Sequence, residues 1–201
     1  MKISVIGKGS FGTFLEELLA PHFDIDERAE SVILAVPISA YDSVAAANKN
    51  KHLINVCSVQ RPSTNIILKH TPSVTGIHPL FGKRTPEDKR NAILTHTFSK
   101  DNGEFAGHER EFLEGFSQVS KIAVNDPNGL PFTPDSHDQL MAKTHVAAVL
   151  AAKQMKVFVD RANDIPDEYI PNSFRLMREF VKTLDDMPPG TIESIMANPY
   201  Y

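Results

Sequence analysis

Three polar positions stand at predicted strand ends or at a predicted helix start, where side chains can meet a ligand. Ser58 follows an apolar run, His78 lies in a Gly-Ile-His-Pro-Leu-Phe-Gly segment, and His137 precedes Asp138 where a helical pattern begins. In an open α/β sheet, ligands bind beyond the carboxyl ends of the strands. A neutral histidine near pH 7 can take a proton from a substrate hydroxyl, so we predict that His78 is a general base. The alternative is a buried histidine that only packs.

A glycine loop near the start of the sequence predicts a dinucleotide cofactor. Its G-x-G-x-x-G spacing follows a β-branched run at residues 2–6 and precedes a helical pattern at residues 11–19. Such glycines permit a tight turn, backbone approach to pyrophosphate and close helix packing, with the phosphates at the helix N-terminus. We predict NAD or NADP here, which would accept hydride from the carbon whose hydroxyl proton His78 takes; a glycine turn without ligand is the alternative. The predicted contacts are Gly7, Gly9, Ser10, Phe11 and Gly12.

The choice between NAD and NADP stays open. An acid near the end of the second strand would bind the adenosine ribose, and Asp24, Asp26 or Glu27 could serve, although all come earlier than the usual spacing. Arg28 lies close enough to receive a 2′-phosphate instead. We take Asp26 and Arg28 as the candidate residues for this discrimination.

Apolar runs alternate with helical or irregular segments, which predicts a mainly parallel sheet covered on both faces. We expect strands at residues 2–6, 23–26, 31–36, 53–56, 74–77, 92–95 and 121–124. The second unit is clipped, because only residues 23–26 remain for its strand before the next apolar run begins.

A change of composition after Asn125 predicts a domain boundary, because proline, glycine and asparagine crowd into the next dozen residues. The fold class is therefore α/β, with a Rossmann-like domain over residues 1–125 and a small all-helical domain over residues 126–201. Within the latter we expect helices at 137–161 and 173–184 and a short last one. The active site should lie between the two domains.

The composition indicates a small-molecule partner. The formal net charge is −4 without long runs of either sign, which favours neither a nucleic-acid groove nor an anionic membrane surface. Cys57 is the single cysteine, and no export signal or membrane span is visible, so we expect a cytoplasmic protein. No familiar metal-ligand spacing is present, and neither a metal nor a flavin is implied.

Several motifs together resemble the prephenate/arogenate dehydrogenase family. Ser58 is followed twenty residues later by the histidine of the Gly-Ile-His-Pro-Leu-Phe-Gly segment and then by His137-Asp138-x-x-Met-Ala. The Ala-Val-Pro strand end also matches, which places Val36 and Pro37 beside the cofactor. The resemblance extends from the glycine loop through at least Ala142.

That resemblance implies NAD(P)-dependent oxidative decarboxylation of prephenate or arogenate in tyrosine biosynthesis. His78 would accept the hydroxyl proton, Ser58 would hydrogen-bond to the same hydroxyl or to His78, and loss of the ring carboxylate would aromatise the ring. His137 would lie beside the substrate, with Asp138 holding its tautomer or capping its helix. A homodimer formed through the helical part is also implied.

A dianionic substrate needs cationic partners. Arg175, Arg178 and Lys182 fall at i, i+3 and i+7 and share one helix face, so we take them as candidates for the substrate carboxylates. A solvated basic stripe is the alternative.

The sequence departs from the family pattern in three respects. Asn55 stands where an aspartate is usual, Gln60 replaces a common lysine, and the helical part is short. Two other functions therefore remain open: a module that binds nucleotide or an aromatic metabolite without efficient turnover, and a dehydrogenase of another hydroxy acid.

Overall fold

The computed structural model describes residues 1–97 and 105–201. The strands in these residues are β1 (Lys2–Ile6), β2 (Asp24–Ile25), β3 (Ser31–Leu34), β4 (His52–Asn55), β5 (Val74–Pro79), β6 (Asn91–His96) and β7 (Lys121–Ala123). The α-helices are α1 (Ser10–Leu19), α2 (Tyr41–Ala47), α3 (Gln60–Ile67), α4 (Ala106–Phe116), α5 (Pro134–Met141), α6 (Ala147–Arg161), α7 (Asn172–Asp185) and α8 (Pro189–Met196). A π-helical segment, Ala142–Val146, joins α5 to α6.

The strands form one sheet in the order β2-β1-β3-β4-β5-β6-β7. All neighbouring pairs are parallel except β5 and β6, which are antiparallel. A strand lies at each of the seven predicted places, and the predicted Rossmann-like α/β class is confirmed. The sequence pattern succeeds here because the central strands are buried on both faces and read as continuous apolar runs.

Helices cover both faces of the sheet, because side chains alternate along each strand. In β3, Ile33 packs with helices α1 and α4, whereas Val32 and Leu34 face α2 and α3. The aromatic rings of Phe112 and Phe116 fill the first of these two cores.

Strand β2 has only two residues and pairs with the start of β1, whereas the glycine loop follows the end of β1. Its last residue, Ile25, pairs with Ile3, and Asp26 donates its backbone N–H to the Ile3 carbonyl. Asp26 is therefore level with Ser4, and Gly7 lies three residues, or about 10 Å, further along the direction of β1 at roughly 3.3 Å per residue. No helix separates β2 from β3. The clipped second unit expected from the sequence is therefore real.

The helical part packs directly on the sheet and has its own core. The sheet ends at Ala123, and α5 begins at Pro134 behind a capping box made by Thr133 and Ser136. Helix α5 rests on α3 and β6, while α6 packs against α7. The core of this part contains Val146, Val149, Ala152, Leu184 and Ile195. Among the described residues, no helix is long and apolar enough to cross a bilayer.

Candidate active site

The glycine loop leaves room for a ligand at one glycine and none at the other two. Gly7 has φ +108°, and a Cβ there would lie 2.2 Å from the Ala35 carbonyl oxygen. A Cβ on Gly12 would lie 1.8 Å from the Gly7 carbonyl oxygen, so both glycines are needed by the turn itself. Gly9 precedes α1, and a Cβ there would meet no atom within 4 Å. The open side of the loop therefore lies at Gly9 and the helix N-terminus, which is an anion-binding arrangement.

A buried chain of hydrogen bonds joins Asp138, His137 and His78. The Asp138 carboxylate accepts the backbone N–H groups of Gln60 and Arg61, each at 2.8 Å, at the start of α3. His137 Nδ1 lies 2.7 Å from Asp138 Oδ1, and His137 Nε2 lies 2.8 Å from His78 Nδ1. Asp138 and His137 are fully buried, and His78 is 3% exposed. Asp138 thus holds the start of α3 and a histidine pair at once.

This chain fixes the tautomer of His78. A carboxylate only accepts, so His137 must donate from Nδ1, and in the neutral ring its Nε2 is then an acceptor. His78 must then donate from its own Nδ1 to His137, and its Nε2 carries the lone pair. His78 Nε2 has no hydrogen-bond partner among the described residues, and the ring lines a large cavity. His78 is therefore oriented as a neutral imidazole with its basic nitrogen available to a ligand.

Burial keeps His78 neutral. Desolvation, followed by the influence of His137 and His145, holds the pKa of His78 well below its ordinary value of 6.5. His145 stacks on His78 with ring centroids 6.0 Å apart, and burial also lowers the pKa of His145. At neutral pH, both rings are uncharged.

Two adjoining cavities lie along this edge of the sheet. The larger has a volume of about 990 Å³, within the range of small-molecule sites, and is walled by His78, Ser58, His145 and apolar side chains such as Phe81 and Met141. The smaller, about 190 Å³, lies between the glycine loop, the β3 end and α8. Both cavities include Ser10, Phe11, Val56, Ser58, Pro188 and Thr191 in their walls. The glycine loop therefore opens into the space that contains His78.

Helix α8 forms part of the wall of the smaller cavity. Val36 and Pro37 follow β3 and line this cavity together with Gly190 and Ser194. A Cβ on Gly190 would lie 2.8 Å from Pro37 Cγ, so α8 and the segment after β3 are in close contact. The cleft is thus formed jointly by the sheet and the helical part.

Asn55 and Gln60 form a neutral buried network beneath the site. The Asn55 amide donates to Ser63 Oγ at 2.8 Å and Thr64 Oγ1 at 3.0 Å, and its Oδ1 accepts from the Tyr41 hydroxyl and the Cys57 N–H. Gln60 donates to the Cys57 carbonyl at 2.7 Å. An amide that donates and accepts satisfies this set, whereas a carboxylate could only accept.

The basic residues predicted for the substrate carboxylates lie elsewhere. Arg175 donates to the Asp167 carbonyl, and Arg178 donates to the Asp167 carboxylate and the Ala162 carbonyl, so both fasten the connection between α6 and α7. Lys182 is exposed and is not in the wall of either cavity. The structure does not bring this helix face to His78, because the i, i+3, i+7 spacing identifies a shared face but not what that face meets.

The residues predicted to read the ribose are also outside the cavities. The Asp26 carboxylate accepts from Lys2 Nζ at 2.8 Å and from the Arg28 N–H at 2.9 Å, and Arg28 is exposed. The contact with Lys2 lowers the pKa of Asp26. The short β2 explains this placement, because Asp26 stays level with Ser4.

Sequence reasoning missed three residues in the wall of the larger cavity. His145 lies in an alanine-rich stretch where a packed core histidine is the usual expectation, yet the π-helical segment places its ring against His78. Lys83 and Arg84 follow the histidine segment directly and also line the cavity. Their sequence signal was their position directly after Gly82, the last residue of the histidine segment. Among the described residues, no cluster of three or more histidine, cysteine or acidic side chains could hold a metal.

Comparison with known proteins identifies the fold. No protein-family model matches the chain, and no curated protein matches it by sequence. A proposed prephenate dehydrogenase from Corynebacterium glutamicum is similar with a TM-score of 0.71 and 16% identity, over 96% of this chain and 73% of that one. Prephenate dehydrogenase from Aquifex aeolicus, in complex with hydroxyphenyl propionate and NAD+, has a TM-score of 0.66 and 13% identity over 98% and 82%. Synechocystis arogenate dehydrogenase has a TM-score of 0.58 and 16% identity over 98% and 84%.

Proposed function

We propose that this chain is an NAD(P)-dependent dehydrogenase that oxidatively decarboxylates prephenate or arogenate, as members of that family do. The observation that carries the proposal is the Asp138–His137–His78 chain, which leaves a basic histidine nitrogen in a cavity that adjoins a glycine loop. The likeness of the fold to the prephenate and arogenate dehydrogenases supports the substrate class.

The residues of the loop fit a dinucleotide. Gly9 offers open space above the N-terminus of α1, where backbone N–H groups would meet the pyrophosphate. Ser10 and Phe11 lie where the two cavities meet, and Val36 and Pro37 wall the smaller one. The nicotinamide, when bound, accepts a hydride from the substrate. Asp26 and Arg28 are left out of this binding set because of their distance along the sheet.

His78 moves the proton in the proposed reaction. Its Nε2 accepts the proton of the ring hydroxyl as hydride leaves the same carbon, and Nδ1 keeps its hydrogen bond to His137. The ring carboxylate then departs as CO₂, and its bonding electrons pass through the ring to the oxygen, which becomes a phenolate. His78 returns the proton to that oxygen. Ser58, which lines both cavities, would donate a hydrogen bond to the same oxygen.

The shape of the cavity suits a ring-bearing substrate. Apolar side chains from the loop after β5, from α5 and from the segment before α8 line the cavity together with His78 and His145. A few polar groups among apolar walls are typical of a small-molecule site. The hydroxyls of Ser58 and Thr144 supply part of that polarity.

The wider organisation is proposed with the function. Residues 1–125 would form the cofactor domain and residues 126–201 the substrate and dimerisation domain, in a cytoplasmic homodimer. Val157, Phe158 and Leu176 are 50%, 57% and 58% exposed on α6 and α7, which supports association through this part. Sedimentation velocity over a hundredfold range of protein concentration tests the dimer, and a constant monomer would refute it.

The test of the reaction measures absorbance of the reduced nicotinamide with NAD or NADP and with prephenate or arogenate. We expect turnover with one pair, a loss of at least 100-fold in His78→Asn, and little change in the control His96→Asn, whose ring is part-buried on β6 outside the cavities. Turnover unaffected by His78→Asn would refute its role as base. Nucleotide binding without turnover in any combination would instead support a binding module, and turnover of a plain hydroxy acid would support another dehydrogenase.

A further inference from the structure

The larger cavity contains two cations whose function is unassigned. Lys83 and Arg84 are the only Lys and Arg side chains in the wall of this cavity within the described residues, and Asp186 is its only acid. The α7 arginines are engaged with Asp167 and Ala162, away from the cavity. A carboxylate that enters this space therefore meets positive charge at one place.

A fixed turn holds both cations. The Thr85 N–H donates to the Gly82 carbonyl at 2.9 Å, which closes a β-turn with Lys83 and Arg84 at its two central positions. The Thr85 hydroxyl also accepts the Gly82 N–H at 3.1 Å, so one residue fastens the turn twice. The turn begins four residues after His78, and the backbone between them is pinned where the Leu80 N–H donates to the Asn91 carbonyl.

Arg84 is engaged by a partner that an incoming carboxylate could replace. Arg84 donates to Asp186 Oδ2 at 2.6 Å, and the two side chains are 70% and 36% exposed. Such exposed pairs contribute little to stability. Asp186 also terminates α7, where a negative charge faces the negative end of the helix dipole. The pair with Arg84 is exposed and weak, so a better carboxylate partner could replace this acid. In the described residues, Lys83 has no ion-pair partner.

We propose that the Lys83–Arg84 turn binds a carboxylate of the substrate, and that this carboxylate takes the place of Asp186 on Arg84. The inference rests on the proposed function for the identity of the substrate, an aromatic or cyclohexadienyl carboxylate, but its charge argument concerns the cavity alone. Arg84 would bind the carboxylate with its planar guanidinium, and Lys83 would add a point charge. Release of Asp186 would also free the end of α7 from the turn.

The test compares two probes that differ only in charge, 4-hydroxyphenylpropionate and its uncharged amide, by titration calorimetry on the full chain with NAD+ present. Arg84→Gln should weaken binding of the acid roughly 10-fold and change the affinity for the amide less than twofold. The double variant, Arg84→Gln with Lys83→Gln, should weaken binding of the acid further. Asp186→Asn should tighten the acid about threefold, because it removes the competitor. Lys89→Gln, an exposed lysine outside the cavity wall, is the matched control and should change neither probe.

The outcomes separate this proposal from the proposed reaction. Equal loss of both probes in Arg84→Gln, no loss in the double variant, or no binding of the acid to the wild-type chain would overturn the turn as a carboxylate site. Selective loss of the acid in a protein that oxidises no substrate would leave the turn proposal standing and refute the reaction. If the chain turns over substrate but the double variant keeps its affinity for the acid, the proposed reaction stands and the carboxylate site is refuted.

Discussion

The hydrogen bond between His78 and His137 allows the proposed mechanism to be tested with a pair of substitutions at one position. His137→Leu removes the acceptor for His78 Nδ1, so the tautomer of His78 is no longer fixed. His137→Gln keeps an oxygen near the place of Nε2, because the glutamine amide reaches about as far as the outer nitrogen of histidine. The pair thus separates the acceptor from the imidazole itself.

The expected size of the effect follows from the contact. The 2.8 Å hydrogen bond is fully buried, and it becomes charge-assisted when His78 takes the proton. Hydrogen bonds to charged groups contribute roughly 1.5–3 kcal/mol, which corresponds to a fall in kcat of about 10- to 150-fold for His137→Leu. His137→Gln should lose less than about 10-fold. His137→Leu should also lower the free energy of unfolding by about 2–5 kcal/mol, since Asp138 and His78 each lose a buried partner.

The assay is initial-rate absorbance of reduced nicotinamide at saturating substrate, with each rate divided by the folded fraction from urea unfolding. The control is Asp135→Asn, three residues before Asp138 with a side chain that is 47% exposed, where kcat should stay within about twofold of wild type. If His137→Leu keeps kcat within threefold of wild type, the tautomer argument fails. If kcat falls as far in His137→Gln as in His137→Leu, an acceptor for His78 Nδ1 is not sufficient for catalysis.

Four further outcomes are expected. Gly12→Ala should unfold the loop or abolish nucleotide binding, whereas Gly9→Ala should fold normally and weaken only nucleotide binding. Thermal melts with and without NAD+ check both outcomes. Asn55→Asp should cost about 3–5 kcal/mol in urea unfolding, because a buried carboxylate would face the Gln60 amide oxygen, to which the Asn55 amide now donates; an unchanged midpoint would contradict the network. Burial lowers the pKa of His52 to about 3, so the neutral ring makes its full contribution to the free energy of unfolding above pH 6.5. That contribution, up to about 5 kcal/mol, is lost as the pH falls toward 3. The free energy of unfolding of His52→Gln should therefore depend less on pH in that range. Because burial lowers the pKa of His78, kcat/KM should be level from pH 6.5 to 8 and fall only on stronger acidification, and an acid limb centred above pH 7 would exclude His78 as the base.

The sheet could be predicted from the sequence because its signals are local. Each buried strand is a short apolar run, and the glycine loop combines a turn and a helix start within six residues. The antiparallel pairing of β6 with β5 could not be predicted, since it depends on the path of the intervening chain rather than on either strand.

The site was only partly predictable, because it depends on contacts between distant residues. His78, Ser58 and His137 were recognised by position and motif, but the hydrogen bonds from Gln60 and Arg61 to Asp138 link residues more than seventy positions apart. The arginines of α7 show the converse. Their spacing is regular, yet their partners lie in the preceding connection and not in the cavity.

The π-helical segment Ala142–Val146 has a consequence for how this cavity could have arisen. A π-turn holds one residue more than an α-turn, so a one-residue insertion into a regular helix creates it and a one-residue deletion removes it. Each residue of an α-helix turns the chain by about 100°, so such a deletion would rotate α6 relative to α5 and carry His145 away from His78. A change of one codon could therefore have exchanged an ordinary helix for a wall of the cavity, and its reversal would restore regular backbone hydrogen bonds at the expense of that wall.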